Sequence, residues 1–133
     1  MRPLQINLIE IPLRSRTKNT NLKNLIQEEG KQILAKTPPD SLVVALDEHG
    51  KQWNNTELAK NFQHWQTIYK NLTIIIGGPD GLSKDVLKKA HYTWSLSPLT
   101  FPHQLVRIIL IEQLHRTWSI LNNHPYHKAH VIN

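Results

Sequence analysis

Three short apolar runs, separated by stretches of helical periodicity, constrain the fold of this chain more than any other feature. The runs are residues 41–46 (SLVVAL), 72–76 (LTIII) and 91–96 (HYTWSL). Short runs rich in β-branched and aromatic residues are typical of strands buried within a parallel sheet. Strands that alternate with helices predict a parallel sheet covered by helices on both faces. The chain is therefore predicted to have an α/β fold, with a parallel sheet flanked by helices.

The N-terminal part adds one strand and one helix to this prediction. Residues 5–11 (QINLIEI) alternate polar and apolar side chains, which predicts a strand near a sheet edge. Apolar positions from Leu22 to Leu34 form one helical stripe. Residues 37–40 (TPPD) are predicted to end that helix.

Capping residues mark the starts of two further helices. Asn54, with Glu57 three residues later, predicts a capping box, and Ser83 predicts the start of a short helix that runs to Ala90. Residues 47–50 (DEHG) are predicted to form a turn after the first apolar run. A long C-terminal helix is predicted after residues 97–102, with these side chains facing inward: Leu105, Ile108, Ile109, Leu114, Trp118 and Leu121.

The composition is basic and free of cysteine. Lysine and arginine number 16 against 10 aspartate and glutamate residues, which gives a formal charge of +6. This excess favours a polyanionic partner such as nucleic acid, although many small proteins are basic for no specific reason. The absence of cysteine excludes disulfides and thiol nucleophiles. No apolar run could span a bilayer and no signal peptide is recognisable, so one cytoplasmic domain, residues 1–133, without membrane contact is predicted.

The candidate ligand site follows from the direction of the predicted strands. Ligands of parallel sheets bind beyond the carboxyl ends of the strands, which here are Leu46, Gly77 and Leu96. Paired glycines in residues 77–81 (GGPDG) let a backbone approach a ligand closely, although a tight turn explains them equally well. No Lys-Ser/Thr follows and no G-x-G-x-x-G is present, so a phosphate-binding domain is a weaker hypothesis.

Two further segments carry candidate functions. Residues 97–102 (SPLTFP) form a rigid loop in which Thr100 is placed to cap the next helix, and its backbone groups could bind the edge of an adenine ring. A simple rigid connection is the alternative. The tail carries His124, His127 and His130, but Pro125 breaks any helix there and no carboxylate is near, which argues against a metal site. Stacking on RNA and neutralising its phosphates fit the tail better.

Taken together and in order, these segments resemble the RlmH family, SPOUT-class methyltransferases that act on a pseudouridine of 23S ribosomal RNA. The matching segments are LDEHGKQW (46–53), IIIGGPDGLS (74–83), WSLSPLTFPHQLVRIILIEQLHRTWSI (94–120) and NHPYHK (123–128). The resemblance implies a trefoil knot at about residues 72–128, a homodimer, and S-adenosylmethionine held by the three loops. The implied cofactor contacts are Leu46, Gly77, Leu96, Ser97, Pro98, Leu99, Thr100 and Phe101.

The resemblance also implies the reaction, which is methyl transfer to N3 of a pseudouridine in the assembled ribosome. The sulfonium provides the leaving group, so neither a metal nor a covalent nucleophile is needed, and the protein must position the partners and promote loss of the imide proton. Candidate catalytic residues are His103, Arg107, Tyr126 and His127, with Arg116 a further candidate. The alternatives are a surface or interface role for the arginines and a helix-start hydrogen bond for His103.

One departure from the family pattern affects the expected activity. Members of the family usually open with an additional strand and helix before the segment that resembles QINLIEIP, whereas this chain begins almost at that segment. The sheet is therefore expected to lack that first unit, which would expose an edge. The alternative function that this suggests is a truncated, non-catalytic relative that binds the ribosome or RNA through its charge.

Overall fold

Four strands and four helices alternate along the residues that the structure, a computed structural model, describes: 4–10, 21–77, 81–97 and 103–122, without the side chain of His103. The elements are β1 (Gln5–Glu10), α1 (Leu22–Lys36), β2 (Leu42–Lys51), α2 (Asn55–Ile68), β3 (Asn71–Ile76), α3 (Lys84–Lys89), β4 (Tyr92–Trp94) and α4 (His103–Leu121). The predicted alternation of strands and helices is confirmed.

The four strands form one sheet in the order β1-β3-β2-β4, and every neighbouring pair is parallel. The prediction of a parallel sheet is confirmed, as is the position of β1 at an edge. Each connection between consecutive strands passes through a helix, as parallel pairing requires, and of the consecutive strands only β2 and β3 are neighbours among the described residues. The path of the predicted knot depends on residues 98–102 and 123–133, which lie outside the described residues, so the knot stays a prediction.

Helices cover both faces of the sheet because successive strand residues point to opposite sides. On one face, Val44 and Ile74 pack with Phe62 and Trp65 of α2 and with Leu110 of α4. On the other face, a smaller cluster joins α1 and α3 to the sheet and consists of Ile9, Ile33, Val43, Ile75 and Val86. The core therefore lies in two layers, one on each side of the central strands β2 and β3.

The helix starts predicted at Asn54 and Ser83 are confirmed at atomic detail, whereas the predicted cap Thr100 lies outside the described residues. The Asn54 side chain accepts a hydrogen bond from Glu57 N at 2.7 Å, and Asn54 N donates to Glu57 Oε1 at 3.0 Å. Ser83 Oγ accepts from Val86 N at 3.2 Å at the start of α3. These side chains satisfy backbone N–H groups that have no partner within the helix.

The predicted turn at residues 47–50 is wrong, because β2 continues through it to Lys51. Lys51 pairs with Trp94, and Ser95 N donates to Lys51 O at 2.9 Å, so backbone pairing with β4 overrides the local preference for a turn. The register is irregular between Leu46 and Lys51. Gly50 permits the close approach, since a Cβ there would lie 2.7 Å from the backbone carbonyl of Thr93. The strand β4 covers only Tyr92–Trp94 and is therefore shorter than the strand predicted at residues 91–96.

The predicted inward face of α4 is only partly correct. Leu110 is fully buried, and Leu114 and Leu121 pack against the core as half-buried residues. Leu105, Ile108 and Trp118, which were predicted to face inward, are 40%, 63% and 49% exposed. Apolar residues occur all around α4, so their periodicity does not single out one face, and the packing against α2 and the sheet decides which are covered.

Candidate functional site

One row of residues crosses the whole sheet at the level where three of its strands end. Leu46 pairs with both Ile76 and Trp94, and Ile76 pairs with Glu10. We call Glu10, Ile76, Leu46 and Trp94 the end row. Because β1, β3 and β4 finish at this row, their carboxyl ends lie at one end of the sheet, where ligands of parallel sheets bind.

The structure brings together four of the predicted cofactor residues at this row. Leu46 belongs to it, and Gly77 directly follows Ile76. Leu96, two residues after Trp94, is half-buried against the core, and the carbonyl of Ser97 accepts a hydrogen bond from Ser95 Oγ at 2.8 Å. The other predicted contacts (Pro98, Leu99, Thr100 and Phe101) lie outside the described residues.

Gly77 has a packing reason to be glycine. A Cβ built at this position would lie 2.7 Å from Cδ2 and 2.8 Å from Cγ of Leu82. The Leu82 side chain therefore occupies the space that a side chain at residue 77 would need, which holds the start of α3 against the end of β3. Close approach of this backbone to a ligand stays a prediction.

Arg107 is the predicted catalytic residue that the structure places nearest to the end row. Its Nε lies 3.5 Å from Oε2 of Glu10, so the first part of α4 stands next to the carboxyl end of β1. The guanidinium is 59% exposed, which leaves it accessible to a ligand. His103 is the first residue of α4 and so belongs to the same end of the helix.

The other predicted catalytic residues are not brought to this place. Arg116 lies nine residues after Arg107 on α4, or about 14 Å along the helix axis. Its side chain is 13% exposed and forms an ion pair with Glu112 one turn away. Tyr126 and His127 lie outside the described residues. The described part of the site therefore contains one of the predicted catalytic side chains.

Sequence reasoning missed the acidic residues of this edge. Glu10 pairs with Arg107 at the end row, and Asp47 and Glu48 follow Leu46 on the extension of β2. His49 lies 3.7 Å from Asp47 and 3.9 Å from Glu48, but it is largely exposed, so these contacts are weak. A charged residue near the carboxyl end of a predicted strand is a signal that could have pointed to Glu10.

The end row combines apolar side chains with backbone polar groups. The half-buried Leu46 and Leu96 side chains offer apolar contact, while the backbone groups of residues that leave the sheet offer donors and acceptors. Among residues 4–10, 21–77, 81–97 and 103–122, no group of three or more His, Cys, Asp or Glu residues could hold a metal ion. In the same ranges, no helix is long and apolar enough to cross a membrane.

Comparisons with known proteins were made at the level of structure and of sequence. Among solved structures, the chain is similar to the SpoU methyltransferase AviRb from Streptomyces viridochromogenes in complex with AdoMet, at 20% identity and a TM-score of 0.39. The match covers 75% of this chain and 37% of that protein. At this TM-score the likeness carries no further argument.

Sequence relatives are much more similar. The chain is 45% identical over 125 residues to a protein of Ectopseudomonas mendocina (strain ymp) and 44% identical to one of Pseudomonas putida (strain F1), both named ribosomal RNA large subunit methyltransferase H. Each match covers 94% of this chain and 81% of the relative. The model of the family described as "Predicted SPOUT methyltransferase" matches residues 1–127. The chain therefore belongs to the SPOUT methyltransferase family, with the ribosomal RNA large subunit methyltransferase H proteins among its relatives, and it is a methyltransferase.

Proposed function

We propose that this protein transfers the methyl group of S-adenosylmethionine to N3 of a pseudouridine in 23S ribosomal RNA, within the assembled ribosome. The observation that carries the proposal is the end row, which gathers Leu46, Gly77, Leu96 and Ser97 at one edge of a parallel sheet. The relatives are named as methyltransferases of large-subunit ribosomal RNA. The formal charge of +6 suits such a polyanionic partner.

The described residues fit the cofactor by their chemistry. When bound, S-adenosylmethionine supplies an electrophilic methyl group on a sulfonium that is also the leaving group. Leu46 and Leu96 contribute apolar surface for the adenine ring, and backbone groups at Gly77 and Ser97 bind its polar edge. By the family resemblance, Pro98, Leu99, Thr100 and Phe101 complete this pocket.

Arg107 has the position and charge to assist the acceptor. In the reaction, the imide N3–H loses its proton, a bond forms from N3 to the methyl carbon, and the bond from that carbon to sulfur breaks. The Arg107 guanidinium stabilises the imide anion, and Glu10, 3.5 Å away, holds the guanidinium at the end row. His103, at the start of the same helix, is the candidate base that accepts the proton.

The geometry of α4 favours an active site shared between two copies. This helix has 19 residues and is therefore about 28 Å long. It runs from Arg107 at the end row to Leu121 and Asn122, which line a cavity of about 470 Å³ with Leu4 beside the opposite end of β1. Tyr126 follows Asn122 by four residues, which span at most about 14 Å. We therefore place Tyr126 and His127 at the end row of a partner copy.

The exposed side of α4 supports a homodimer. Ile108, Ile111, His115 and Trp118 recur at intervals of three and four residues, so they share one face of the helix. All four are exposed, and the His115 and Trp118 rings stack at 5.8 Å. An exposed helix face that carries Ile108, Ile111 and Trp118 is typical of an interaction surface. We propose that a second copy covers this face.

We further propose that residues 1–133 form one SPOUT domain with a knot at about residues 72–128. The enzyme works in the cytoplasm, where ribosomes are.

Two measurements test the proposal in turn. Calorimetry of the full chain with S-adenosylmethionine should show saturable binding, and absence of binding to the folded protein at millimolar ligand would remove the cofactor half. Incubation with methyl-labelled cofactor and assembled ribosomes should then place label at a pseudouridine of 23S RNA. Label in neither ribosomal RNA nor tRNA would remove the substrate half.

A non-catalytic ribosome-binding relative is the alternative, and it is not favoured. The end row is formed by this chain, and similarity to the named methyltransferases extends over 94% of its length. The alternative requires ribosome association that weakens with salt but no methyl transfer. Transfer of label in the ribosome assay would therefore exclude it.

A further inference from the structure

A shallow pocket of about 290 Å³ lies at the amino end of the sheet, whereas the end row lies at the carboxyl end. Leu42, which begins β2, and Tyr92, which begins β4, both line it, so it stands at the amino ends of the strands. Among the residues that the structure describes, none of the predicted cofactor or catalytic residues contributes to it. We call it the ring pocket, and the side chains on which its chemistry depends are His64, Trp65, Ile68, Tyr69, His91 and Tyr92.

Flat rings dominate the walls of the ring pocket. The Trp65 and Tyr92 rings are 5.3 Å apart and the Tyr69 and His91 rings are 5.9 Å apart. Tyr92 is 41% exposed and Ile68 is 59% exposed, although Trp65 is almost fully buried. Exposed aromatic faces beside an aliphatic side chain favour a ligand that is itself a flat ring, because stacking buries the aromatic and the aliphatic surface together.

His91 gives the pocket a defined hydrogen-bonding group. Val43 N donates to Nδ1 of His91 at 2.9 Å. Because Nδ1 accepts this bond, the proton of the neutral ring is on Nε2, which is therefore a donor. A ring ligand with acceptor atoms at its edge, such as a nucleobase, matches this donor.

The connections that lead into the strands at this edge are basic. Lys70 directly follows Tyr69, and Lys88 and Lys89 precede His91 by three and two residues. With Lys36 at the end of α1, four exposed lysines stand on the segments that enter β2, β3 and β4, against one acidic residue, Asp40. The end row, in contrast, carries Glu10. The positive charge on the segments that enter these strands therefore complements phosphates.

We propose that the ring pocket binds an unstacked base of a single-stranded RNA segment, with Lys70, Lys88 and Lys89 neutralising the flanking phosphates. The inference rests on the proposed function in that it takes RNA as the partner. A chain of nucleotides fits better than a free nucleotide, because the lysines lie on the segments entering three adjacent strands, which span about 10 Å. One phosphate could not meet them all.

The ring pocket lies apart from the proposed cofactor site. Its strand residues Leu42 and Tyr92 begin β2 and β4, whereas the end row lies at the carboxyl ends of the strands. We therefore expect the pocket to contribute to RNA affinity without taking part in the chemical step.

Photo-crosslinking locates the RNA directly. The full chain is irradiated with a short single-stranded RNA that carries 5-iodouridine, and the crosslinked peptides are identified by mass spectrometry. We expect crosslinks on peptides that contain Tyr69 or the pair His91 and Tyr92. Crosslinks confined to other peptides would overturn the proposal. This result does not depend on methyl transfer, so it distinguishes failure of the ring pocket from failure of the enzyme.

Substitutions at Tyr92 separate stacking from bulk. Tyr92→Phe keeps the ring and should retain RNA affinity, whereas Tyr92→Leu keeps an apolar side chain without a ring and should weaken RNA binding about 5- to 150-fold. Binding of S-adenosylmethionine should be the same in both variants, which also shows that both are folded. Equal RNA affinity of the two variants would contradict the inference.

Charge removal tests the neighbouring lysines. The double variant Lys88→Gln and Lys89→Gln should raise KM for the ribosome and reduce the salt dependence of RNA binding, with kcat unchanged. The matched control is Lys23→Gln with Lys31→Gln, two exposed positions on α1, and it should show a smaller effect. Uridine monophosphate is the second probe. If it binds as tightly as the oligonucleotide and is indifferent to Lys88 and Lys89, a free nucleotide replaces RNA as the ligand.

Discussion

Arg107 and Glu10 meet where the first turns of α4 pass the end of β1. The guanidinium is 59% exposed and the carboxylate 27% exposed, and an ion pair at this exposure contributes only about 0–1 kcal/mol to folding. The ion pair therefore contributes little to the free energy of folding. A cation at the end row, oriented by a carboxylate from the neighbouring strand, suits stabilisation of an anion that forms only during the reaction.

Replacing each member of this pair separates its two roles. Arg107→Gln should lower kcat for methyl transfer by about 100-fold, because the charge that stabilises the imide anion is lost. Glu10→Gln keeps that charge and removes only its orientation, so its effect should be smaller. Urea unfolding should place both variants within about 0.5 kcal/mol of the parent. Equal losses of kcat in the two variants would show that Arg107 acts only as the partner of Glu10 and does not itself stabilise the anion.

Among the elements, α2 shows how local sequence and long-range contacts combine. Its start depends on two residues three apart, Asn54 and Glu57, which bond reciprocally. Its buried face, with Leu58, Phe62 and Trp65, then packs on the sheet and faces α4. Neighbouring β2 behaves differently, because its extension to Lys51 depends on pairing with β4, more than 40 residues further along the chain.

The cap of α2 can be tested with an adjacent control. Asn54→Ala removes the side chain that accepts from Glu57 N and should lower the free energy of unfolding by about 1 kcal/mol. Asn55→Ala, one residue later and also exposed, should change it by less than about 0.5 kcal/mol. Both values come from urea denaturation followed by circular dichroism. A similar loss in the two variants would show that the cap does not stabilise the helix.

At the scale of the whole molecule, α4 runs from the carboxyl end of the sheet to its amino end. It begins near Arg107 at the end row and finishes at Leu121 beside the amino end of β1. One face packs through Leu110 into the core, whereas the face with Ile108 and Trp118 stays uncovered in the single chain. This arrangement is the basis for the proposed active site shared between two copies.

Disruption of the exposed α4 face should dissociate the homodimer. Ile108→Asp combined with Ile111→Asp places two charges where apolar contact is proposed, so light scattering should report the mass of one 15.4 kDa chain instead of twice that mass. Methyl transfer should be lost with it. Leu22→Asp, at an exposed apolar position on α1, is the control and should leave the dimer intact. Dimers that persist in the double variant would contradict this interface.

The sequence by itself was sufficient for features that depend on neighbouring residues. The apolar runs, the helical stripes and the caps at Asn54 and Ser83 involve side chains within a few positions of one another, so their preferences are visible in the linear chain. The direction of the strands then indicated the edge at which Leu46, Gly77 and Leu96 gather. Family resemblance added the cofactor and the reaction, which no local pattern contains.

Only the tertiary structure decided which distant segments meet. The extension of β2 beyond Leu46, the pairing of Glu10 with Arg107, and the exposed face of α4 each depend on partners dozens of residues away or on the helices that cover the sheet. The ring pocket likewise joins α2 to the start of β4. In each case the contact is a property of packing, and packing selects among local preferences that the linear sequence leaves equally available.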